Sequence, residues 1–232
     1  MGWEKDEVQI SDLEKHSMQS STSNLEATQI CLVYLLGTVL SDAELTAAML
    51  EKYPFAEYAA RYWYEHYKSS DEGVLPVDPV VLRFFEGENA AFQNWIRMHD
   101  PDGAYSGIDF GRGAAPPVYY ASLLGLRFVV HGLLDMKKEE GAQTSKLQEL
   151  SLSGVSSLVN AQGGGFGNAL QAASYGGHEM VVQLLLDNGA EVNAQGGYYG
   201  NALQAASIRG HEMVVQLLLD NGAEVRAKWR VW

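Results

Sequence analysis

Asn160 to Val192 reads NAQGGGFGNALQAASYGGHEMVVQLLLDNGAEV, and Asn193 to Val225 reads NAQGGYYGNALQAASIRGHEMVVQLLLDNGAEV. The copies are 33 residues apart and agree at 29 of 33 positions. A period of this length marks a supersecondary unit that buries its apolar face only by stacking on a neighbour. Asn168 and Asn201 stand where a helix N-cap belongs, and a side-chain oxygen accepting a free backbone N–H there is worth about 1 kcal/mol. Ala169 to Ser174 is small and helix-forming, and Gly177 and Gly210 stop that helix where φ must turn positive. A second helix is expected from about His178 to Asp187. Val181, Val182, Leu184, Leu185 and Leu186 leave it only the polar stripe Glu179, Gln183 and Asp187, so it must be covered on several sides.

The period and content resemble the ankyrin repeat. That family's Thr-Pro-Leu-His is Asn-Ala-Leu-Gln here, at 168–171 and 201–204. Asn takes the capping role, and Gln171 and Gln204 supply the polar group that bonds a neighbouring loop. The Gly163-Gly164 and Gly196-Gly197 pairs fall in the hairpin-like finger between repeats. A weaker copy lies upstream at about 116–135. Pro117 to Gly125 matches the first helix and its glycine stop, and Leu126 to Asp135 matches the second. Ser122 and Ser174 are 52 residues apart, so 19 extra residues predict an irregular insert at about 136–158.

The first part of the chain has a different character. Residues 1–24 are polar and Ser-rich and are expected to be mobile. From 25 to 103 the apolar spacing is helical throughout, with no strand-period segment. Helices are expected over Leu25–Leu40, from a Ser41-Asp42 cap toward Met49, over Phe55–Tyr67 behind Pro54, from Asp78-Pro79 to Phe85, and over Asn89–Met98. Phe55, Tyr58, Tyr62 and His66 share one face, and helical spacing reads the Tyr/Trp-rich run at 58–67 as core packing rather than a platform for bases or sugars. The chain is therefore expected to be all-α, an acidic helical bundle at 25–103 followed by a short ankyrin-repeat solenoid within 104–232, with regular repeats at 160–192 and 193–225.

The runs Cys31-Leu32-Val33-Tyr34-Leu35-Leu36, Pro54 to Trp63 and Asn94-Trp95-Ile96-Arg97 resemble the helical stretch of fungal NACHT–ankyrin proteins, between their nucleotide-binding module and their ankyrin array. The resemblance implies the sensor or regulatory arm of an NLR-like receptor. The G-x-x-x-x-G-K-[ST] loop of the nucleotide-binding module is missing from this sequence, so no ATPase is carried over. An alternative is a regulatory subunit of an NTPase acting in trans, or a remnant nucleotide-binding signalling protein.

Composition narrows the function further. The net charge is −13, with 19 acidic against 8 basic residues in 1–115 and 10 against 8 in 116–232. Such a chain repels phosphate backbones, which argues against nucleic acid as a partner. The apolar run Ile30–Leu40 is too short to span a bilayer, and no membrane partner is expected. Cys31 is the only cysteine, which fits a reducing compartment and a cytoplasmic location, and the N-terminus lacks a signal-peptide pattern. Cys31 lies in an apolar run without a catalytic flank, and its expected state is a buried, inert thiol. His178 and His211 follow the glycine stops at equivalent positions, which points to helix entry rather than metal ligation. Gly163-Gly164-Gly165-Phe166-Gly167 lacks the lysine of a phosphate loop and is repeat punctuation. No enzyme activity, cofactor or metal is expected.

The expected partner is a protein. The twin repeats differ only at Gly165/Tyr198, Phe166/Tyr199, Tyr175/Ile208 and Gly176/Arg209. The first two pairs fall in the finger and the others at the end of the first helix, regions that line the concave binding surface in ankyrin proteins. Gly165, Phe166, Tyr175, Tyr198, Tyr199, Ile208 and Arg209 are therefore the candidate binding residues, Tyr and Arg being favoured at interface hot spots.

Overall fold

The structure is a computed structural model that describes residues 22–37, 40, 45–70, 78–86, 90–103, 115–143 and 148–225. Among these residues there are twelve helices and no strand. The chain divides into two compact units, one formed by Met1–Phe84 with Asn89–His99 and the other by Phe85–Glu88 with Asp100–Trp232.

The first unit holds α1 (22–35), α2 (Ala47–Lys52), α3 (Phe55–Lys68), α4 (Pro79–Phe85) and α5 (Ala90–Met98). The Ser41-Asp42 cap and Asn89 lie outside the described residues, as does most of the 1–24 segment. The cap of α2 is Thr46, whose hydroxyl accepts from the Met49 N–H at 3.3 Å. Asp78 caps α4 through the Val80 N–H at 2.8 Å. Trp63, Phe84, Phe92 and Trp95 form the core, with ring centroids 5.4–5.8 Å apart and mostly edge-on. Edge-on pairs place positive ring edges against negative faces. The Trp95 indole N–H donates to the Ala60 carbonyl at 2.8 Å, which satisfies its one polar atom inside that core.

Of the 58–67 run, Trp63 and Tyr67 pack in the core as expected, and Tyr58 and Tyr62 do not. Ala56, Ala59, Ala60, Trp63 and Tyr67 are buried, whereas Tyr58 and Tyr62 remain 45% and 39% exposed. The small alanines let α3 approach its neighbours closely, and the bulky Tyr58 and Tyr62 fit only outside. Cys31 is buried as expected, and burial pushes its thiol pKa up.

The second unit is built from helix pairs. These are α6 (Pro117–Leu123) with α7 (Arg127–Gln143), α9 (Ala169–Gly176) with α10 (Glu179–Asp187), and α11 (Ala202–Arg209) with α12 (Glu212–Asp220). Each first helix ends on a left-handed glycine, Gly125, Gly177 and Gly210, with φ of 75°, 74° and 73°. The next N–H closes back on the helix in all three, from Leu126 to the Ala121 carbonyl, His178 to Ala173 and His211 to Ala206, at 2.9–3.0 Å. Asn168 and Asn201 cap α9 and α11 through the N–H groups of Gln171 and Gln204. The first helices stack in the order α6, α9, α11, and the second helices in the order α7, α10, α12.

The described residues of the 136–158 segment, 136–143 and 148–158, are helical, not irregular. Helix α7 continues through Gly141 to Gln143, and α8 (Gln148–Val159) packs along it. Contacts one helical turn apart, the His131–Asp135 contact at 2.8 Å and the ion pairs Asp135–Lys138 and Lys137–Glu140, support this extension. Each such surface pair adds only a few tenths of a kcal/mol, against about 1 kcal/mol lost to a mid-helix glycine. Packing against α8, with Val155 and Val159 buried, supplies the rest. The extra residues thus fall in a helical excursion from the stack, described at 136–143 and 148–159, and α8 returns the chain to Asn160.

Candidate functional site

Side-chain bonds running between successive repeats set the spacing of the stack. Gln171 donates from Nε2 to the carbonyls of Gly196 at 3.1 Å and Gly200 at 3.2 Å, both in the next finger. Asn160 spans to the next loop, donating to the Gly189 carbonyl and accepting from the Glu191 N–H, and Asn193 repeats both bonds with Gly222 and Glu224. The imidazoles of His178 and His211 reach backward to the carbonyls of Leu123 and Tyr175, each at 3.0 Å. Each ring lies over the preceding stop glycine, Gly125 or Gly177, where a Cβ would sit 2.6 Å from it. Their role is to join repeats, and the described residues include no cluster of three or more metal-ligating side chains.

The first finger has a further support. The hydroxyl of Tyr119 donates to Asp102 and accepts from the Phe166 N–H at 3.1 Å, while the other Asp102 oxygen accepts from the Gly165 N–H at 2.9 Å. Burial first, and the adjacent Asp102 carboxylate next, push the Tyr119 pKa far up, so the phenol stays a donor. This clamp ties the Asp100–Gly103 turn, where the helical head was expected to end, to the repeat unit. The sequence alone does not single out Asp102 for this role. A signal was available for Tyr119: with Ser122 on Ser174, Tyr119 falls on Gln171, the residue that bonds the next finger.

On this frame the positions that differ between the twin repeats meet. The rings of Phe166 and Tyr175 stack with centroids 4.2 Å apart, and Tyr199 lies nearly parallel to both, 6.0 Å from Phe166 and 5.3 Å from Tyr175. Tyr198 meets Phe166 edge-on at 6.4 Å, and the Arg209 guanidinium lies 4.8 Å over the Tyr175 ring. Burial, with a hydrogen bond that the Tyr199 hydroxyl donates to the Tyr175 hydroxyl, raises the Tyr199 pKa, and Arg209 opposes that shift.

The seven candidates divide by exposure. Phe166 is buried and forms the floor; Tyr175 and Tyr199 are half-buried; Arg209 is exposed. Tyr198 and Ile208 are 63% and 66% exposed. Gly165 is buried beneath Tyr198, where a Cβ would sit 2.5 Å from the ring, and its carbonyl accepts from the Tyr198 N–H at 3.0 Å. Two of the four differences therefore have an internal rationale. Gly165 is small because Tyr198 covers it, and a Cβ at Gly176 would strike the His178 imidazole.

A family model described as ankyrin repeats (3 copies) matches residues 140–228. Its range begins inside α7 and leaves α6 outside. Among curated proteins, the chain is similar to azaphilone pigments biosynthesis cluster protein L of Monascus ruber, 44% identical over 195 residues. That alignment covers 82% of this chain and 39% of the relative, so the chain spans about two fifths of the length of the curated relative it matches. No helix among the described residues is long and apolar enough to cross a membrane. The chain carries ankyrin repeats, and its fold is an all-α ankyrin solenoid with further helices.

Proposed function

We propose that this chain is a non-catalytic protein-interaction scaffold that holds a protein partner on the face formed by Phe166, Tyr175, Tyr198, Tyr199, Ile208 and Arg209. The carrying observation is the stack of Phe166, Tyr175 and Tyr199, three near-parallel rings drawn from two fingers and one first helix, with Arg209 laid over Tyr175. Rings packed on one another are already ordered, so a partner meets large amphipathic surfaces at little further entropic cost. Tyr and Arg are also the residue types that dominate interface energetics. The surrounding twin scaffolds differ nowhere else, which fits a constant frame with a variable face.

Within that role, the arm of an NLR-like receptor, or a shorter paralogue of one, is the context we favour. A helical segment leading into an ankyrin array supports it, as does a match to part of a longer protein. The relative's name attaches it to a pigment biosynthesis cluster. A partner encoded beside such a cluster is consistent with a scaffold role.

Affinity capture with the full chain, followed by the triple variant Tyr198→Ala, Tyr199→Ala and Arg209→Ala, tests the reading. Partners identified with the wild type and lost from a variant that retains its helix content support it. Partners captured equally by both place binding elsewhere.

A further inference from the structure

Charge on the regular repeats is distributed unevenly. Residues 160–225 contain six acidic side chains, Glu179, Asp187, Glu191, Glu212, Asp220 and Glu224, and a single Lys or Arg, which is Arg209. All six acids lie on the second helices or in the loops after them. The finger and first-helix stretches 161–177 and 194–210 contain no acid at all. Arg209 is thus the one formal charge these stretches contribute, and among the described residues it makes no ion pair; the Asp102 carboxylate at the first finger is engaged by Tyr119 and the Gly165 N–H. Its guanidinium carbon lies 4.8 Å from the Tyr175 ring centroid, a cation–π contact. A guanidinium on an exposed side chain can still offer a planar anion two parallel hydrogen bonds. Tyr198 and Ile208, the most exposed apolar side chains of the face, offer surface for an uncharged neighbour.

We propose that Arg209 is the specificity residue of this face and receives an Asp or Glu carboxylate of a partner peptide, flanked by aromatic or branched aliphatic side chains. The inference rests on the binding-face reading and adds the partner's chemistry to it. An acidic chain repels an acidic partner at long range. Recognition therefore depends on one short-range, preformed contact with a single carboxylate in an otherwise apolar segment, and a run of acidic residues is disfavoured.

The test is a selection of random displayed peptides on the full chain, run in parallel with Arg209→Glu, Arg209→Lys and the pair Tyr198→Ala, Tyr199→Ala. Arg209 is exposed, so its two substitutions leave the fold intact, and circular dichroism checks this for them and for the tyrosine pair. Expected are wild-type peptides enriched in one Asp or Glu beside apolar residues. Their binding should weaken about tenfold or more with Arg209→Glu, where one tenfold step is 1.4 kcal/mol. Arg209→Lys, keeping the charge without the planar fork, should fall between, and selection on Arg209→Glu should turn toward Lys and Arg. Peptides that depend on Tyr198 and Tyr199 but carry no acid, or ignore Arg209→Glu, overturn this inference and leave the binding face standing. No enriched peptide, or peptides indifferent to the tyrosines, overturns both.

Discussion

The Nε2 of His211 lies 3.0 Å from the carbonyl oxygen of Tyr175, 36 residues earlier in the chain. A carbonyl can only accept, so the imidazole carries its proton on Nε2, and the bond ties a second helix to the end of the preceding first helix. The same Tyr175 contributes its ring to the aromatic stack, so the latch that sets the repeat spacing also anchors the candidate binding face. His211→Ala leaves that carbonyl unpaired and exposes the surface of Gly177. We expect it to lower unfolding free energy by about 1–3 kcal/mol. Met213→Ala, at a 64% exposed position on the same helix, should change it by less than about 0.5 kcal/mol. Urea unfolding followed by far-ultraviolet circular dichroism measures both.

Adjacent glycines in the first finger should respond differently to the same methyl group. Gly164 has φ +72°, and a Cβ there would land on the Tyr119 ring inside the Asp102 clamp. Gly164→Ala combines left-handed backbone strain of about 1–2 kcal/mol with overpacking of about 1–3 kcal/mol. At Gly165 the obstacle is the exposed Tyr198 ring, which is free to swing away. Gly165→Ala should cost under about 1 kcal/mol, the usual scale for displacing a surface group, yet weaken partner binding by moving Tyr198. Melting temperatures and partner affinity of the two variants separate these effects.

Gln171→Ala removes bonds to two carbonyls of the next finger and should cost about 1–3 kcal/mol. Gln204→Ala should cost less, because among the described residues its side-chain amide has no hydrogen-bond partner. Equal losses from the two, in the same unfolding experiment, would contradict the assigned role of this position.

His99 gives the first unit a pH dependence. Burial lowers its pKa below 6.5, and the nearby Arg61 lowers it further while Glu65 opposes; the ring stacks on Tyr64 at 5.9 Å. Because the folded state disfavours the charged form, this contribution is complete above the unfolded pKa near 6.5. It is lost progressively as pH falls through the lower folded value. Unfolding followed by tryptophan fluorescence, with Trp3, Trp229 and Trp232 replaced by Phe so that Trp63 and Trp95 report on this unit, should show stability declining below about pH 6.5. His99→Gln should flatten that decline.

The regular repeats were legible from the sequence because each local signal, the Asn cap, the stop glycine and the apolar second helix, agrees with the stack. The helical excursion at 136–159 was not, since its short-range signals conflict. Gly141 and polar residues read as a break, and only packing of α8 along α7 resolves them into helix. The exposure of Tyr58 and Tyr62 was not legible for a related reason: spacing shows that Phe55, Tyr58, Tyr62 and His66 share a side, but not which side meets the core. Of the candidate site, the positions could be read by comparing the twins. Their stacking could not, nor could the burial of Phe166, because both depend on how one repeat sits on the next.

The central claim is that partners meet the finger and first-helix face. Ile208 and Met213 are almost equally exposed, at 66% and 64%, but the first lies on α11 at the aromatic face and the second on the second helix α12. A photo-crosslinking residue placed at each position of the full chain, in an extract of the source cells, compares the two faces at matched accessibility. Partner adducts should form from position 208 and be absent or minor from position 213. Adducts formed mainly from 213, or equally from both, would contradict the assignment of the binding face.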